Sequence, residues 1–107
     1  MRQRWLAKAL ARIHHLASQE KARFTLKALR ELAALDMGLD EEDACHALAH
    51  MKVSDFVERV ASRKTDEWMY VFKPRVAGVM VYVKVVIRSE CVVISFHEEE
   101  GQSNEDN

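Results

Sequence analysis

The sequence VYVKVVIRSECVVISFHEEE, residues 81–100, contains two runs rich in β-branched and aromatic residues, with Ser89-Glu90 between them. Side chains alternate between the two faces of a strand, and every second residue of the first run is apolar. These residues are Val79, Val81, Val83, Val85 and Ile87. We predict that this face is buried and that the two runs form a β-hairpin.

The opposite face of the hairpin has a different composition. If Ser89 and Glu90 form a two-residue turn, paired residue numbers sum to 179, so that Tyr82 lies opposite His97 and Lys84 lies opposite Ser95. Side chains paired in this way are about 5 Å apart at Cβ. A phenol, an ammonium, a hydroxyl and an imidazole are therefore predicted to gather on one face, with Val92, Ile94 and Phe96 on the buried one.

The residues before this hairpin are typical of helices. Apolar residues with helical spacing predict helices over residues 2–18 and 26–35, and the acidic cluster at residues 40–43 predicts a third helix start. Phe56 and Val60 are spaced as on one side of a helix, which predicts a fourth, short helix after Ser54. Beyond Thr65 the period changes to two, and we predict strands at residues 67–73, 79–88 and 91–97.

This order of elements predicts an α+β fold, with N-terminal helices packed on one face of a small antiparallel β-meander. We assign residues 1–97 to a single domain and residues 98–107 to an acidic disordered tail. Residues 97–107 contain five acids and no lysine or arginine, which leaves 16 basic and 12 acidic residues elsewhere. The domain is thus basic overall, which suits a polyanion or an acidic protein as partner.

Several classes of protein are disfavoured. No apolar run approaches the roughly 20 residues of a membrane span, and the N-terminal residues lack the apolar core of a signal peptide, so we predict a soluble cytoplasmic protein. Cys45 and Cys91 have no paired metal-binding spacing and are predicted to be buried thiols. His46 and His50 are four residues apart, but no third ligand is evident. We predict neither a metal nor a cofactor.

Short sequence strings in a fixed order show a resemblance to a known family. They are RFTLKAL and GLD, SDF at residues 54–56, WMYVFKP at residues 68–74, VYVK at residues 81–84 and VISFHEE at residues 93–99. Together they resemble the MqsR family of bacterial toxins, whose strings are of the type SDFYKS, WQDVY-R-P, VYLK and VSFKEK. The resemblance runs from about Arg23 to His97 and implies a RelE-like fold.

The resemblance also implies an activity. Members of this family are messenger RNA endonucleases of the RelE-like group that cleave single-stranded RNA without a metal, leaving a 2′,3′-cyclic phosphate, and that are neutralised by a cognate antitoxin protein. Tyr82 and Lys84 match the tyrosine and lysine of VYLK. Three positions depart from the pattern: Glu58 replaces a lysine, Met69 a glutamine, and His97 a lysine.

These matches and departures predict the site. His97 is expected to be the general acid, because histidine exchanges protons near neutral pH and a histidine has this role in the wider RelE-like group. Glu58 is the candidate base, reaching in from the predicted fourth helix, and Tyr82 orients the phosphate or shares the proton transfer. The predicted RNA-binding residues are Lys84, Lys73, Arg75, Arg59 and Arg63.

Two alternatives to the nuclease remain open. The same face is consistent with a catalytically inactive relative that binds RNA or a protein. The chain is also consistent with an interaction module whose exposed sheet edge pairs with another chain.

Overall fold

The computed structural model describes residues 4–99, and the chain in this range begins with three α-helices. Helix α1 spans Arg4–Ser18, α2 spans Leu26–Ala34 and α3 spans Glu41–Ala49, which confirms the first three predicted helices. The Asp40 and Asp43 side chains each accept the other residue's backbone N–H, so the start of α3 has two of its donors satisfied. No helix within residues 4–99 is both long and apolar enough to cross a membrane.

Strands follow the helices and form a mixed six-stranded sheet. They are β1 (Ala22–Phe24), β2 (Phe56–Ala61), β3 (Trp68–Phe72), β4 (Arg75–Val76), β5 (Val79–Ile87) and β6 (Cys91–Glu98). The main order is β1-β6-β5-β3-β2, and the short β4 pairs with β5. Strands β3, β5 and β6 form the predicted antiparallel meander; β2 extends it in antiparallel beside β3, and β1 joins it in parallel beside β6.

The predicted fourth helix is wrong. Val53–Asp55 forms one 3₁₀ turn, and the chain then enters β2. Strand β2 pairs with β3, and a register shift after Phe56 places Phe56 opposite Phe72 but Val60 opposite Met69. The two residues therefore lie on opposite faces of the sheet, so their helical spacing was coincidental. Residues 56–61 form a strand because FVERVA contains β-branched residues and because the edge of β3 is available for pairing. The hydrogen bonds and side-chain contacts with β3 outweigh the weak local preference for a helix.

The hairpin of β5 and β6 is confirmed, but its turn is longer than predicted. Ile87 pairs with Cys91, so three residues rather than two form the turn, and the Arg88 N–H donates to the Glu90 carbonyl. A β-bulge at Ile94 then adds one residue to β6. The two changes cancel beyond the bulge, so that Tyr82 pairs with His97 and Lys84 with Ser95, as predicted.

The bulge also changes which β6 residues are buried under the helices. Phe96 belongs to the main core as predicted, but its companions from β6 are Cys91 and Val93 rather than Val92 and Ile94. The predicted apolar face of β5 packs there: Val81, Val83 and Val85 are fully buried. Helix residues such as Leu10, Ile13, Ala28, Leu32 and Leu48 complete this core. The helices thus cover one face of the sheet.

The end of β6 lies just beyond the predicted domain boundary. The strand continues to Glu98, and the Glu99 N–H donates to the Met80 carbonyl at 2.9 Å. The first two residues assigned to the acidic tail therefore belong to the sheet. The predicted disorder of residues 100–107 lies outside the described residues.

Candidate functional site

The sheet face opposite the helices carries the polar residues. Because paired residues share a face and neighbours along a strand alternate, this face receives Tyr82 and Lys84 from β5, Ser95 and His97 from β6, and Glu58 from β2. Lys73 directly follows β3, and the N–H of Val81 donates to the carbonyl of Pro74, which places Lys73 beside Tyr82. We call this set the polar face.

Tyr82 and His97 form a pair of stacked rings on the polar face. Their rings stack with centroids 4.9 Å apart and planes 12° from parallel. Both residues are half-buried. The stack holds the imidazole at a fixed angle to the phenol.

One nitrogen of His97 is already occupied. Its Nδ1 lies 2.8 Å from the carbonyl oxygen of Glu98, and because a carbonyl can only accept, Nδ1 is the donor. In the neutral ring, Nε2 is then the basic nitrogen, and in the charged ring Nε2 carries the exchangeable proton. The Glu98 carbonyl therefore leaves Nε2 as the ring nitrogen with which His97 could exchange a proton.

The surroundings of Tyr82 keep its phenol protonated. Burial raises the pKa of Tyr82, the carboxylates of Glu58 and Glu99 raise it further, and the ammonium of Lys73 opposes them. A phenol that stays protonated is a poor base at neutral pH but keeps its O–H for donating a hydrogen bond. Tyr82 is therefore suited to donating its proton in a hydrogen bond to an anionic oxygen.

Glu58 reaches the polar face from a strand. It is exposed on β2 and pairs with Val71 of β3, which in turn pairs with Lys84. Its carboxylate is close enough to Tyr82 to influence the phenol electrostatically. The predicted face is correct for this residue, although the predicted element was wrong.

Glu99 is a residue of the site that sequence reasoning missed. Its carboxylate forms a 2.8 Å ion pair with the ammonium of Lys73, and only 14% of the Glu99 side chain is exposed. The assignment of residues 98–107 to a disordered tail hid it. Alternation from His97 through Glu99 would have found it, had the strand been extended by two residues.

Lys27 is a second missed residue. It belongs to α2, yet its ammonium donates to the hydroxyl of Ser95 at 2.9 Å, beside Lys84 on the polar face. Sequence reasoning treated RFTLKAL as a helix start and had no signal that this helix lies against the edge of β6.

Arg59 does not lie on the polar face. It pairs with Tyr70, whose row faces the helices, and its guanidinium lies 3.9 Å from the ring centroids of both Trp5 and Trp68. A cation held between two indoles stabilises the packing of α1 on the sheet. The structure therefore does not bring Arg59 together with Tyr82 and His97.

The other two predicted arginines are peripheral. Arg63 is exposed in the turn between β2 and β3, at the far edge of the sheet. Arg75 is exposed on β4, where it pairs with Met80, two residues before Tyr82, and follows Lys73 closely in the chain. Arg75 thus borders the polar face, while Arg63 stands apart from it.

The histidine pair on α3 forms a separate feature. The His46 and His50 rings have centroids 4.3 Å apart, and Nδ1 of His50 donates to the carbonyl of His46. In the part of the chain that the structure describes, no group of three or more histidine, cysteine, aspartate or glutamate side chains could hold a metal. Cys91 is buried, as predicted, and Cys45 is half-buried.

Comparison with known proteins identifies the family of the chain. Residues 7–98 match the family model described as motility quorum-sensing regulator, toxin of MqsA. The chain is also 28% identical over 90 residues to the mRNA interferase toxin MqsR of Escherichia coli (strain K12), covering 83% of this chain and 90% of that protein. Since the family model spans most of the chain, this protein belongs to the MqsR toxin family.

Proposed function

We propose that the protein is an endoribonuclease toxin that cleaves single-stranded messenger RNA at the polar face, without a metal. The observation that carries the proposal is the Tyr82–His97 stack on a sheet face that also holds lysines. The name of the Escherichia coli relative, an mRNA interferase toxin, supports the substrate class. Membership in a toxin family supports the biological role.

The proposed reaction is an internal transfer of the phosphoryl group. The ribose 2′-oxygen attacks the adjacent phosphorus, the bond from phosphorus to the 5′-oxygen breaks, and the products are a 2′,3′-cyclic phosphate and a free 5′-hydroxyl. Glu58 takes the proton from the 2′-hydroxyl, and protonated His97 gives its Nε2 proton to the leaving 5′-oxygen. Glu58 gains the proton that the 2′-hydroxyl loses, and the 5′-oxygen gains the proton that His97 loses, so the steps balance without a co-reactant.

The other residues stabilise charge. The Tyr82 phenol, kept protonated by its surroundings, donates a hydrogen bond to a non-bridging oxygen of the scissile phosphate. Lys84, Lys73 and Arg75 hold phosphates, which requires Lys73 to exchange its Glu99 partner for the RNA. Arg63 lies too far along the sheet edge to contact the scissile phosphate.

The family description supports an antitoxin as the protein partner, since it names the toxin of MqsA. We propose that a cognate antitoxin neutralises this chain in the bacterial cytoplasm. The test is a search of the adjacent reading frames for a small protein that binds this chain and relieves growth arrest on co-expression, and failure to find one would remove this part of the proposal.

The nuclease itself is tested with purified protein and single-stranded RNA in the presence of EDTA. The wild type should cleave and leave 2′,3′-cyclic phosphate and 5′-hydroxyl ends, whereas a His97→Ala/Tyr82→Phe double variant should not. Equal cleavage by both proteins would overturn the proposal. Binding of RNA without cleavage by the wild type would favour the inactive relative instead.

A further inference from the structure

Helix α2 lies along the edge of β6 where β1 stops pairing. Strand β1 ends at Phe24, opposite Val93, and the next residues of β6 are bonded by α2 instead. The Glu31 carboxylate accepts the Phe96 N–H at 2.8 Å, and the Lys27 ammonium donates to the Ser95 hydroxyl at 2.9 Å. Because Ser95 faces the polar side of the sheet, Lys27 reaches around the sheet edge to that side.

The ion pair between Lys27 and Glu31 is more exposed on its lysine side. The two side chains are joined at 2.7 Å, but 59% of the Lys27 side chain is exposed against 22% of the Glu31 side chain. Burial raises the pKa of Glu31, yet hydrogen bonds from Lys27 and from the Phe96 N–H outweigh it and leave the pKa below its usual value. Glu31 is thus a charged carboxylate that accepts hydrogen bonds from both the Lys27 ammonium and the Phe96 N–H.

Lys27 lies beside another lysine. Ser95, its hydrogen-bond partner, is the cross-strand neighbour of Lys84, and such neighbours are about 5 Å apart at Cβ. Ser95 itself is only 3% exposed, so its hydroxyl holds Lys27 in place rather than meeting a ligand. Two ammonium groups on neighbouring elements match the two non-bridging oxygens of a phosphodiester.

We propose that Lys27 and Lys84 form a phosphodiester-binding subsite at the β6 edge, which binds an RNA phosphate next to the scissile one. This inference rests on the proposed function and extends it. The bound strand then crosses the sheet from Lys73, past Tyr82 and His97, to the start of α2.

The test is the salt dependence of binding to a fully 2′-O-methylated single-stranded RNA, which lacks the attacking hydroxyl and cannot be cleaved. For single strands, each lost phosphate contact reduces the slope of log K against log salt by about 0.7, which corresponds to about fivefold weaker binding at 0.1 M salt. Lys27→Gln should show both changes. Lys27→Arg should keep most of the wild-type slope.

Two further variants serve as controls. Lys64→Gln makes the same change of charge in the exposed turn between β2 and β3, at the opposite edge of the sheet, and should bind like the wild type. A Lys27→Gln/Glu31→Gln variant has the same net charge as the wild type. Its slope of log K against log salt should still be reduced, because the contact of Lys27 with the phosphate is removed while the total charge is not. Thermal melting confirms that each variant is folded.

The possible results separate this inference from the nuclease proposal. A Lys27→Gln slope equal to that of the wild type, or equal losses in Lys27→Gln and Lys64→Gln, would overturn the subsite and leave the nuclease intact. Wild-type protein that binds with the expected Lys27 dependence but never cleaves natural RNA would overturn only the nuclease. Failure of the wild type to bind RNA would overturn both.

Discussion

The imidazole of His97 lies face to face with the phenol of Tyr82, at 4.9 Å and 12°, and its Nδ1 is bonded to the Glu98 carbonyl. Two constraints therefore fix the ring, one on its face and one on its edge, and both leave Nε2 for a substrate. This arrangement is suited to a proton donor that must meet a leaving oxygen at a set position.

His97→Ala should lower the single-turnover cleavage rate by about 10²–10⁴-fold, the usual contribution of a general acid. RNA with sulfur in place of the bridging 5′-oxygen at the cleavage site should restore most of the loss, because a thiolate leaves without a proton. His15→Ala, at an exposed position on α1, is the matched control and should cleave normally. Absence of sulfur rescue would mean that His97 is not the acid.

The phenol of Tyr82 should titrate above the usual tyrosine value of 10, because burial and the nearby carboxylates raise its pKa. Glu58→Gln should lower this pKa, and Lys73→Gln should raise it. Ultraviolet absorbance of tyrosinate measures both shifts, and subtraction of the Tyr82→Phe titration removes the signal of Tyr70, the second tyrosine. Identical titrations in the wild type and both variants would show that these charges do not reach the phenol.

Arg59→Ala should destabilise the fold by about 1–2 kcal/mol, since each cation–π contact of a partly exposed arginine contributes about 0.5–1 kcal/mol. The loss is measured as a lower urea midpoint at constant slope. Arg63→Ala, in the nearby turn, should change the stability by less than about 0.5 kcal/mol. Equal effects of the two substitutions would contradict the role of Arg59 between Trp5 and Trp68.

The free energy of unfolding should depend on pH through the ionisation of Glu67. Two hydrogen bonds from Arg88 lower the pKa of Glu67 to about 2, against an ordinary value of 4.5. Because the pKa of Glu67 is lower in the folded protein than in the unfolded chain, its ionised form stabilises the fold at pH values above about 4.5. This stabilisation is lost as the pH falls from about 4.5 toward 2. The wild type should therefore exceed Glu67→Gln in urea midpoint at pH 7, and the difference should vanish near pH 2.

That comparison has a clear contrary outcome. A difference between wild type and Glu67→Gln that stays constant from pH 7 to 2 would show that the ion pair with Arg88 does not form in solution. Because the pair is exposed, added salt should also reduce the difference at pH 7.

Local pattern was sufficient for much of the fold. The three helices follow from apolar spacing and from the acidic start of α3, and the β5–β6 hairpin follows from alternation in VYVKVVI and CVVISF. The pairing of Tyr82 with His97 was predicted from an incorrect turn, since the longer turn and the Ile94 bulge shift the register by equal and opposite amounts. Agreement at that pair was therefore partly fortuitous.

Contacts between distant segments account for what was missed. FVERVA forms a strand because β3 offers an unpaired edge, and no spacing within those six residues reports that edge. Arg59 turns toward the helices because Trp5, more than fifty residues earlier, completes its aromatic pair with Trp68. Lys27 joins the polar face for the same reason, through packing of α2 against β6.

The amino-acid order alone determined which residues of β5 alternate and hence that a valine face and a face with Tyr82 and Lys84 must exist. The alternation of apolar and polar residues involves near neighbours in the chain and is visible directly in the sequence. The tertiary fold decided that His97 joins that second face, that Glu58 reaches it from a strand, and that Glu99 and Lys27 belong to it. Those positions depend on bulges, edges and packing between segments far apart in the chain, which local periodicity does not encode.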